Sequence, residues 1–453
     1  MSNEQLAISN VQLAMCNDSQ PRKMKYSGVE WIGDIPEDWE TIKFSSFIDR
    51  MGTGLNPRDN FVLDKDSPYY YVTIRNFKNG KLFLDDKCDR IDQTAFDKIQ
   101  ERSQLQIGDF LFASISKDAQ VYYVSETPSN WNINESVFCI RPKRNIFLSE
   151  YLYYHLIDYR FYESLLTDAT GSTFLSIKQN KLRQSFFVLP PLSEQQAIAD
   201  ILDRKCTQID ALIANEEQQI AKLKAYKQSV ITETVTKGIN PDVPMKDSGV
   251  EWIGEIPEHW EIVRIKNKFS LRNERNYEAD LSRVNLISLY TDLGVIQHSD
   301  LEETTGNKAV TAEGYKIVHE GDIIVNIILC WMGAVGKSNY NGVTSPAYDV
   351  YQPKSDTNSN YYHYLFRTKR FNGECYRYGR GIMMMRWRTY STEFSSISIP
   401  VPPIEEQQQI ADYLDKKCEQ IDRLIAIKQQ KIEKIQQYKK SIIYEYVTGK
   451  KEV

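Results

Sequence analysis

The chain repeats two of its segments, and the residues between the repeated segments differ. The string SGVEWIGDIPEDWE at 27–40 returns as SGVEWIGEIPEHWE at 248–261. A longer string, PPLSEQQAIADILDRKCTQID at 190–210, returns as PPIEEQQQIADYLDKKCEQID at 402–422. So long a period indicates a tandem duplication of whole domains, not a solenoid. A repeated frame around divergent interiors predicts one scaffold that presents two different recognition surfaces.

Length and composition set the broad class. A chain of 453 residues has room for about two to four domains, and 41% hydrophobic with 26% charged residues is ordinary for a soluble protein. The chain starts without a secretory signal pattern, and its seven cysteines form no C-x-x-C pair, which favours reduced thiols and a cytoplasmic location. The net charge of −5 argues only mildly against nucleic-acid binding, because a local basic cleft can lie in an acidic protein.

Turn signals and apolar runs divide the chain into six segments. We expect a flexible lead-in at 1–24, a first recognition domain at 25–189, a long helix at 190–238, a linker at 239–245, a second recognition domain at 246–400 and a second long helix at 401–450. Short strand-like runs bounded by Asn-Gly and Gly-Asp dominate the two interiors, and one helical stretch follows late in each. The predicted fold class is therefore α+β, with mixed strands and helices in each recognition domain.

Apolar residues at alternating spacings of four and three mark both long helices as coiled-coil partners. The first seam is Leu202, Cys206, Ile209, Ile213, Glu216, Ile220, Leu223, Lys227 and Val230, and the second is Leu414, Cys418, Ile421, Ile425, Lys428, Ile432, Ile435, Lys439 and Ile442. The short linker predicts an antiparallel pair that separates the two domains around an internal pseudo-twofold axis. The alternative is that each amphipathic helix lies on its own domain.

Motifs for catalysis fail at the positions that matter. The segment 333–338, GAVGKS, ends like a phosphate-binding loop, but Trp331 stands where that motif requires glycine. The five histidines form no H-x-x-x-H or HExxH array, so we expect no metal site. No catalytic residues are predicted.

Basic, polar and aromatic residues interleave in a few short stretches, as they do in nucleic-acid-binding surfaces. The candidate DNA-binding residues are Arg75, Asn76, Lys78, Lys117, Ser172, Thr173, Lys178, Asn180, Lys181, Tyr376, Arg377, Arg380, Arg386 and Arg388. The densest set surrounds the string GRGIMMMRWR at 379–388. The alternative interpretation of each stretch is a solvated, charged turn.

These boxes closely resemble those of the specificity subunits of Type I restriction-modification systems, and the resemblance covers nearly the whole chain after residue 25. The motifs are the GVEWIG-x-IPE-x-W boxes, the PP-x-x-EQQ-x-IA boxes at 190–203 and 402–415, and the run GDIIVNIILCWMGAVG at 321–336. The resemblance implies a non-catalytic chain with two target-recognition domains, each reading one half of a split, asymmetric DNA sequence.

The same resemblance implies partners and cofactors. Two methyltransferase subunits would dock on the long helices, and restriction and translocation subunits would join them in the full complex. S-adenosylmethionine, ATP and Mg²⁺ would then bind the partner subunits and not this chain. Two other classes of function remain open: a scaffold or adaptor whose duplicated domains bind protein or another ligand, and a standalone enzyme.

Overall fold

The chain divides into two units, each of which takes one part of both long helices. The computed structural model describes residues 22–453 except 59, 79, 144, 167–175, 301–310 and 382–386. The first unit combines the described residues up to Ala214 with Lys431–Val453, and the second unit is Asn215–Gln430. Each unit therefore contains one recognition domain, the start of the helix that follows it and the end of the other long helix.

A four-stranded antiparallel sheet forms the centre of the first unit, in the order β10-β9-β12-β4, and a three-stranded sheet has the order β11-β5-β8. The strands are β1 (Met24–Tyr26), β2 (Asp34–Pro36), β3 (Glu40–Lys43), β4 (Ile48–Thr53), β5 (Tyr69–Val72), β6 (Phe77–Lys78), β7 (Lys81–Leu82), β8 (Asp89–Ile91), β9 (Phe110–Ala113), β10 (Val121–Tyr123), β11 (Trp131–Ile133), β12 (Val137–Pro142) and β13 (Phe186–Leu189). The helices are α1 (Phe44–Phe47), α2 (Gln93–Ser103), α3 (Ser149–Leu156), α4 (Tyr159–Leu166), α5 (Gln179–Gln184) and the long α6 (Leu192–Lys237). All four residues of β9 are buried, as its unbroken apolar run predicts.

The second unit repeats this sheet, in the order β17-β24-β21-β22. Its strands are β14 (Met245–Asp247), β15 (Glu255–Pro257), β16 (Glu261–Arg264), β17 (Phe269–Leu271), β18 (Ile287–Tyr290), β19 (Gly294–Gln297), β20 (Lys316–Val318), β21 (Ile323–Asn326), β22 (Val335–Lys337), β23 (Gly342–Thr344), β24 (Tyr348–Pro353) and β25 (Ser398–Val401). Its α-helices are α7 (Ile265–Lys268), α8 (Ser359–Phe366), α9 (Lys369–Tyr378), α10 (Ser391–Phe394) and the long α11 (Ile404–Val447). Short 3-10 helices lie at Leu281–Arg283, His298–Asp300 and Cys330–Met332.

The tryptophan of each repeated box is bonded to the first turn of the long helix that follows. The indole nitrogen of Trp39 donates to Glu194 Oε2 at 3.1 Å, and that of Trp260 donates to Glu406 Oε2 at 3.0 Å. Both indoles are buried, so each needs a hydrogen-bond partner. The box is repeated because it joins the domain to the start of its helix.

A buried tyrosine joins each domain to the end of the other long helix. In the first unit the Tyr151 hydroxyl donates to the Val447 carbonyl oxygen at 2.8 Å. In the second unit the Tyr361 hydroxyl donates to the Val235 carbonyl oxygen at 2.7 Å. The last carbonyls of a helix lack partners within the helix, so a buried hydroxyl is well placed to satisfy one of them.

The predicted seams are confirmed. Every one of the eighteen seam residues is buried or half-buried. In the first unit Lys439 pairs with Asp210 at 2.6 Å, and in the second Lys227 pairs with Asp422 at 2.6 Å and Lys428 with Glu216 at 2.9 Å. Within the second unit the residue number rises on one helix as it falls on the other. The predicted α+β class, the internal repeat and the antiparallel helix pairing are therefore confirmed.

The start of the first domain differs from the expected boundary. The predicted lead-in reached residue 24, and its residues 1–21 lie outside the described part of the chain. Arg22, however, pairs with Glu194 at 2.7 Å and with Asp38 at 2.6 Å, and β1 begins at Met24. These contacts place the last three residues of the predicted lead-in within the first domain.

A buried carboxylate gives the first unit a testable dependence on pH. Asp158 directly precedes α4 and is fully buried, and its Oδ1 accepts a hydrogen bond from the Phe161 amide at 2.9 Å. Burial raises the pKa of Asp158 to about 7, although the amides of Phe161 and Arg160 act in the opposite direction. The raised pKa means that the folded protein favours the protonated form of Asp158. The resulting contribution to stability is fully present below the unfolded pKa of about 3.9 and is lost as pH rises to about 7.

We therefore expect the Asp158→Asn variant to gain stability relative to the parent between pH 4 and pH 8, by up to about 4 kcal/mol. The measurement is the free energy of unfolding from urea denaturation at a series of pH values. Thr368 occupies the same place before α9 and accepts from the Phe371 amide at 3.3 Å, but it cannot titrate. Thr368→Asn is thus the matched control, with no pH-dependent difference expected. A constant difference for Asp158→Asn across this range would contradict the prediction.

Candidate nucleic-acid interface

In the second unit, the loop after the central strand β21 lies beside the segment that follows α9. The loop leads into the 3-10 helix Cys330–Met332, in which Cys330 is fully buried. The Thr389 amide donates to the Ile327 carbonyl oxygen at 2.9 Å, and the Thr389 hydroxyl donates to the Cys375 carbonyl oxygen at 2.7 Å. These two bonds connect the loop, α9 and the segment after it into one surface.

Three aromatic side chains lie on this surface. The rings of Tyr376 and Trp387 stack with 4.9 Å between centroids, and Trp331 meets Tyr376 edge-on at 5.7 Å. The Trp387 indole nitrogen also donates to the Tyr376 carbonyl oxygen at 2.9 Å. Gly379 lies under this indole, where an added Cβ would be 2.3 Å from the ring nitrogen. A glycine is therefore required there for steric reasons.

Arginines surround the aromatic group. Arg380 and Arg388 bond to each other through both backbone amides, at 2.8 and 2.9 Å, so their side chains project from the same face of the pair. The Arg380 side chain is 75% exposed and pairs with Glu393 at 2.7 Å. Arg377 pairs with Glu374 at 2.8 Å and lies 5.3 Å from the Tyr378 ring centroid. The carboxylates hold the exposed guanidinium groups in place without covering them.

The structure thus brings four of the predicted residues, Tyr376, Arg377, Arg380 and Arg388, into one cluster. The fifth, Arg386, lies outside the described residues. Sequence reasoning did not identify Glu374 and Glu393 as partners of the arginines. The spacing of three between Glu374 and Arg377 on a helix was an available signal. For Glu393 there was none, because that pairing depends on the tertiary fold.

The first unit repeats one of these backbone bonds, with different side chains nearby. The Ile177 amide donates to the Ser114 carbonyl oxygen at 2.8 Å, which joins the loop after β9 to the start of α5. This bond is the counterpart of the one between Thr389 and Ile327. Lys117 lies in the loop, and the residues around α5 include three further candidates: Lys178, Asn180 and Lys181. Lys117, Lys178 and Asn180 are exposed and Lys181 is half-buried, while Ser172 and Thr173 lie outside the described residues.

The remaining candidates lie on a separate segment, between β5 and β7. Arg75 is exposed, and Lys78 ends β6 opposite Lys81. The Asn76 amide is already used in the turn, because its oxygen accepts from the Thr73 amide at 2.8 Å and its nitrogen donates to Cys88 Sγ at 2.9 Å. Base reading by Asn76 would require that turn to open. Its assignment and that of its neighbours stay predictions.

Among the described residues, no group of three or more His, Cys, Asp or Glu side chains is placed to hold a metal ion. In the same part of the chain, none of the helices combines the length and apolarity needed to cross a membrane.

A family model described as the Type I restriction modification DNA specificity domain matches the chain twice, at residues 36–225 and 257–437. The chain belongs to this family. The resemblance inferred from the repeated boxes is therefore confirmed, and each match contains one interior and most of the long helix that follows it.

Individual relatives agree with the family assignment. The chain is 27% identical over 433 residues to the putative type I restriction enzyme MjaX specificity subunit of Methanocaldococcus jannaschii, covering 92% of this chain and 95% of that one. It is 26% identical to the MjaVIII specificity subunit of the same organism, covering 92% and 93%. A chain from a solved structure of a type I R-M system superposes with a TM-score of 0.61 at 14% identity, covering 91% of this chain and 98% of that chain. At that identity the match supports the shared fold alone.

The exposed arginines of this cluster are predicted to contact DNA, and substitutions would distinguish a base contact from a phosphate contact. If Arg380 or Arg388 reads a base, both its Ala and its Lys variants should lose about 1–3 kcal/mol of discrimination at one base pair, because Lys lacks the bidentate guanidinium. If the residue binds a phosphate, Lys should retain binding and Ala should lower the salt slope by about 1. The measurement is DNA affinity of the assembled methyltransferase on oligonucleotides with single base-pair changes, at several salt concentrations.

Arg264→Ala removes the same charge from an exposed position of the same unit and serves as the control. Parental affinity, discrimination and salt slope in the Arg380→Ala and Arg388→Ala variants would show that the cluster is a solvated turn.

Proposed function

We propose that this chain is the non-catalytic DNA-reading subunit of a Type I restriction-modification complex and that its two domains read two different half-sites. The observation that carries the proposal is the repeated backbone bond at the loop after β9 and after β21. Near this bond the first unit presents Lys117, Lys178 and Asn180, and the second presents arginines beside stacked aromatic rings. One scaffold thus offers two different sets of hydrogen-bonding groups.

Different side chains on the same frame favour an asymmetric, bipartite target. Arginine bonds both acceptors of guanine in the major groove, and asparagine pairs with adenine in the same bidentate way. Lysine makes less directional contacts, to phosphates as well as to bases. Two sets that differ in these groups would select different base sequences.

Domain exchange tests this proposal. Residues 41–189 are replaced by the corresponding interior of another family member, which leaves both repeated boxes and both long helices in place. Methylated adenines in DNA from cells that express the system are then mapped. We expect one half-site to change and the other to keep its sequence, because each interior reads its own half.

The reciprocal exchange of residues 262–401 is the control and should change only the other half-site. A change in both half-sites after either exchange, or in neither, would refute independent reading.

Catalysis in this proposal belongs to the partner subunits, where S-adenosylmethionine, ATP and Mg²⁺ bind. In this chain half of the segment resembling a phosphate-binding loop, residues 333–338, is the edge strand β22, which pairs with β21. A backbone committed to a sheet does not wrap a phosphate as that motif does. We accordingly assign the chain recognition and assembly in the cytoplasm, without methyl transfer, ATP hydrolysis or DNA cleavage of its own.

The long helices carry repeated exposed apolar side chains that fit a docking role. In the first unit Leu212 and Tyr438 are 54% and 52% exposed, and in the second Leu424 and Tyr226 are 49% and 49% exposed. The ion pair Asp210–Lys439 neighbours the first set, and its counterpart Asp422–Lys227 neighbours the second. Two equivalent surfaces suit two copies of the same partner, so we propose that each binds one methyltransferase subunit, with restriction subunits joining the full complex.

Single substitutions test this stoichiometry. Leu212→Asp and Leu424→Asp should each lower the number of bound methyltransferase subunits from two to one, and the double variant should bind neither, because a charge at the apolar contact is desolvated without a partner. Native mass spectrometry of the reconstituted complex gives the count. Leu212→Met and Leu424→Met keep the surface apolar and should bind two. Retention of two subunits by the double Asp variant would exclude this surface as the docking site.

A further inference from the structure

The two long helices have nearly the same seam, which raises the question of how each recognises the other. Residue pairs separated by 212 positions are both apolar at seven of the nine seam places, and Lys227 corresponds to Lys439 at an eighth. Only one seam place holds opposite charges: Glu216 on α6 corresponds to Lys428 on α11. An α6 helix could therefore present an almost equivalent seam to the α6 of a second copy of the chain.

The flanking ion pairs do not distinguish these arrangements. In the second unit Lys227 pairs with Asp422, and in the first Lys439 pairs with Asp210. Asp210 and Asp422 are equivalent in the repeat, as are Lys227 and Lys439. If α6 packed antiparallel against another α6, Lys227 of one copy would meet Asp210 of the other and the same ion pairs would form.

The pair at 216 and 428 is different, because the charges are complementary only between unlike helices. Glu216 is 5% exposed, and the Lys428 ammonium lies 2.9 Å from Glu216 Oε2 and 2.5 Å from Gln219 Oε1. Between two α6 helices, Glu216 would face a second Glu216. Between two α11 helices, Lys428 would face a second Lys428, and the position equivalent to Gln219 is another lysine, Lys431.

We propose that the Glu216–Lys428 pair selects the partner helix: it favours packing of α6 against α11 and disfavours packing of like helices from two copies of the chain. Two like charges that face each other on the seam repel and have no counter-charge there. Glu216 and Lys428 instead attract each other and form a hydrogen bond. A polar contact within a largely apolar seam is a known means of specifying which coiled-coil partners associate. The sign of the charge at this position thus distinguishes two otherwise similar helices.

Charge substitutions in the full-length chain test whether this pair selects the partner helix. The Lys428→Glu variant carries Glu at both positions, and the Glu216→Lys variant carries Lys at both. Each variant made alone faces like charges, so its thermal unfolding midpoint should fall below that of the parent. When the two variants are co-expressed, Glu at position 216 or 428 of one variant meets Lys at position 216 or 428 of the other. The tagged Lys428→Glu chain should therefore capture the untagged Glu216→Lys chain.

We expect at least about tenfold more captured chain than in the parent co-expressed with its own tagged copy, which corresponds to about 1.4 kcal/mol or more of preference. The exchanged double variant, Glu216→Lys with Lys428→Glu, is the matched control. It restores the unlike pair within one chain and should regain the parental unfolding midpoint and the parental low capture.

Each outcome decides the proposal. Enhanced capture in the mixed pair, with recovery in the exchanged variant, supports partner selection by charge. Capture no greater than that of the parent overturns it, and so does failure of the exchanged variant to recover stability. If either single variant is insoluble when made alone, recovery of soluble protein on co-expression of the two variants supports the proposal. If the co-expressed pair stays insoluble although the exchanged double variant is soluble, the proposal is wrong.

Discussion

The structure depends on the attachment of each recognition domain to the ends of two different helices. A buried indole bonds the first turn of the domain's own long helix, and a buried tyrosine hydroxyl bonds the last turn of the other. Both kinds of bond occur in both units at equivalent positions. Because buried polar groups are costly when unpaired, these contacts define where a domain can be placed on its helices. Exposed residues between the repeated boxes can then vary without loss of these attachments.

This arrangement explains why the sequence is repeated in some places and divergent in others. The boxes and the helix starts contact each other, so a change in one requires a matching change in its partner. The surface formed by the loop after the central strand and the segment after the second short helix lies between the repeated boxes, although in the first unit Lys440 of α11 pairs with Asp118 of this loop at 2.6 Å. Its side chains differ between units, with lysines and an asparagine in one and arginines near stacked aromatic rings in the other. The family's role in DNA specificity fits this division.

Features carried by periodicity or repetition could be predicted from the sequence, and features that depend on tertiary contacts could not. The 3.5-residue spacing predicted both seams, and the near-identical boxes predicted the duplication. The ion pair of Arg380 with Glu393 was not predictable, since it joins residues whose proximity is created by the fold. Asn76 was predicted from its residue type, which is common in base recognition, but its side chain is hydrogen-bonded within a turn. Composition therefore indicates which kinds of residue a segment contains, but not the contacts that the fold gives to each of them.

The position of the last helix turns has a consequence for synthesis of the protein. The core of the first unit includes Ile442, Tyr446 and Val447, and Lys450 donates to the carbonyl oxygen of Ile32 at 2.6 Å. A ribosome makes those residues more than two hundred positions after the first domain has emerged. Until then the nascent first domain exposes the apolar surface that they will cover, and contacts so distant along the chain form slowly. The second domain and most of both long helices must therefore be synthesised before the earliest domain can close.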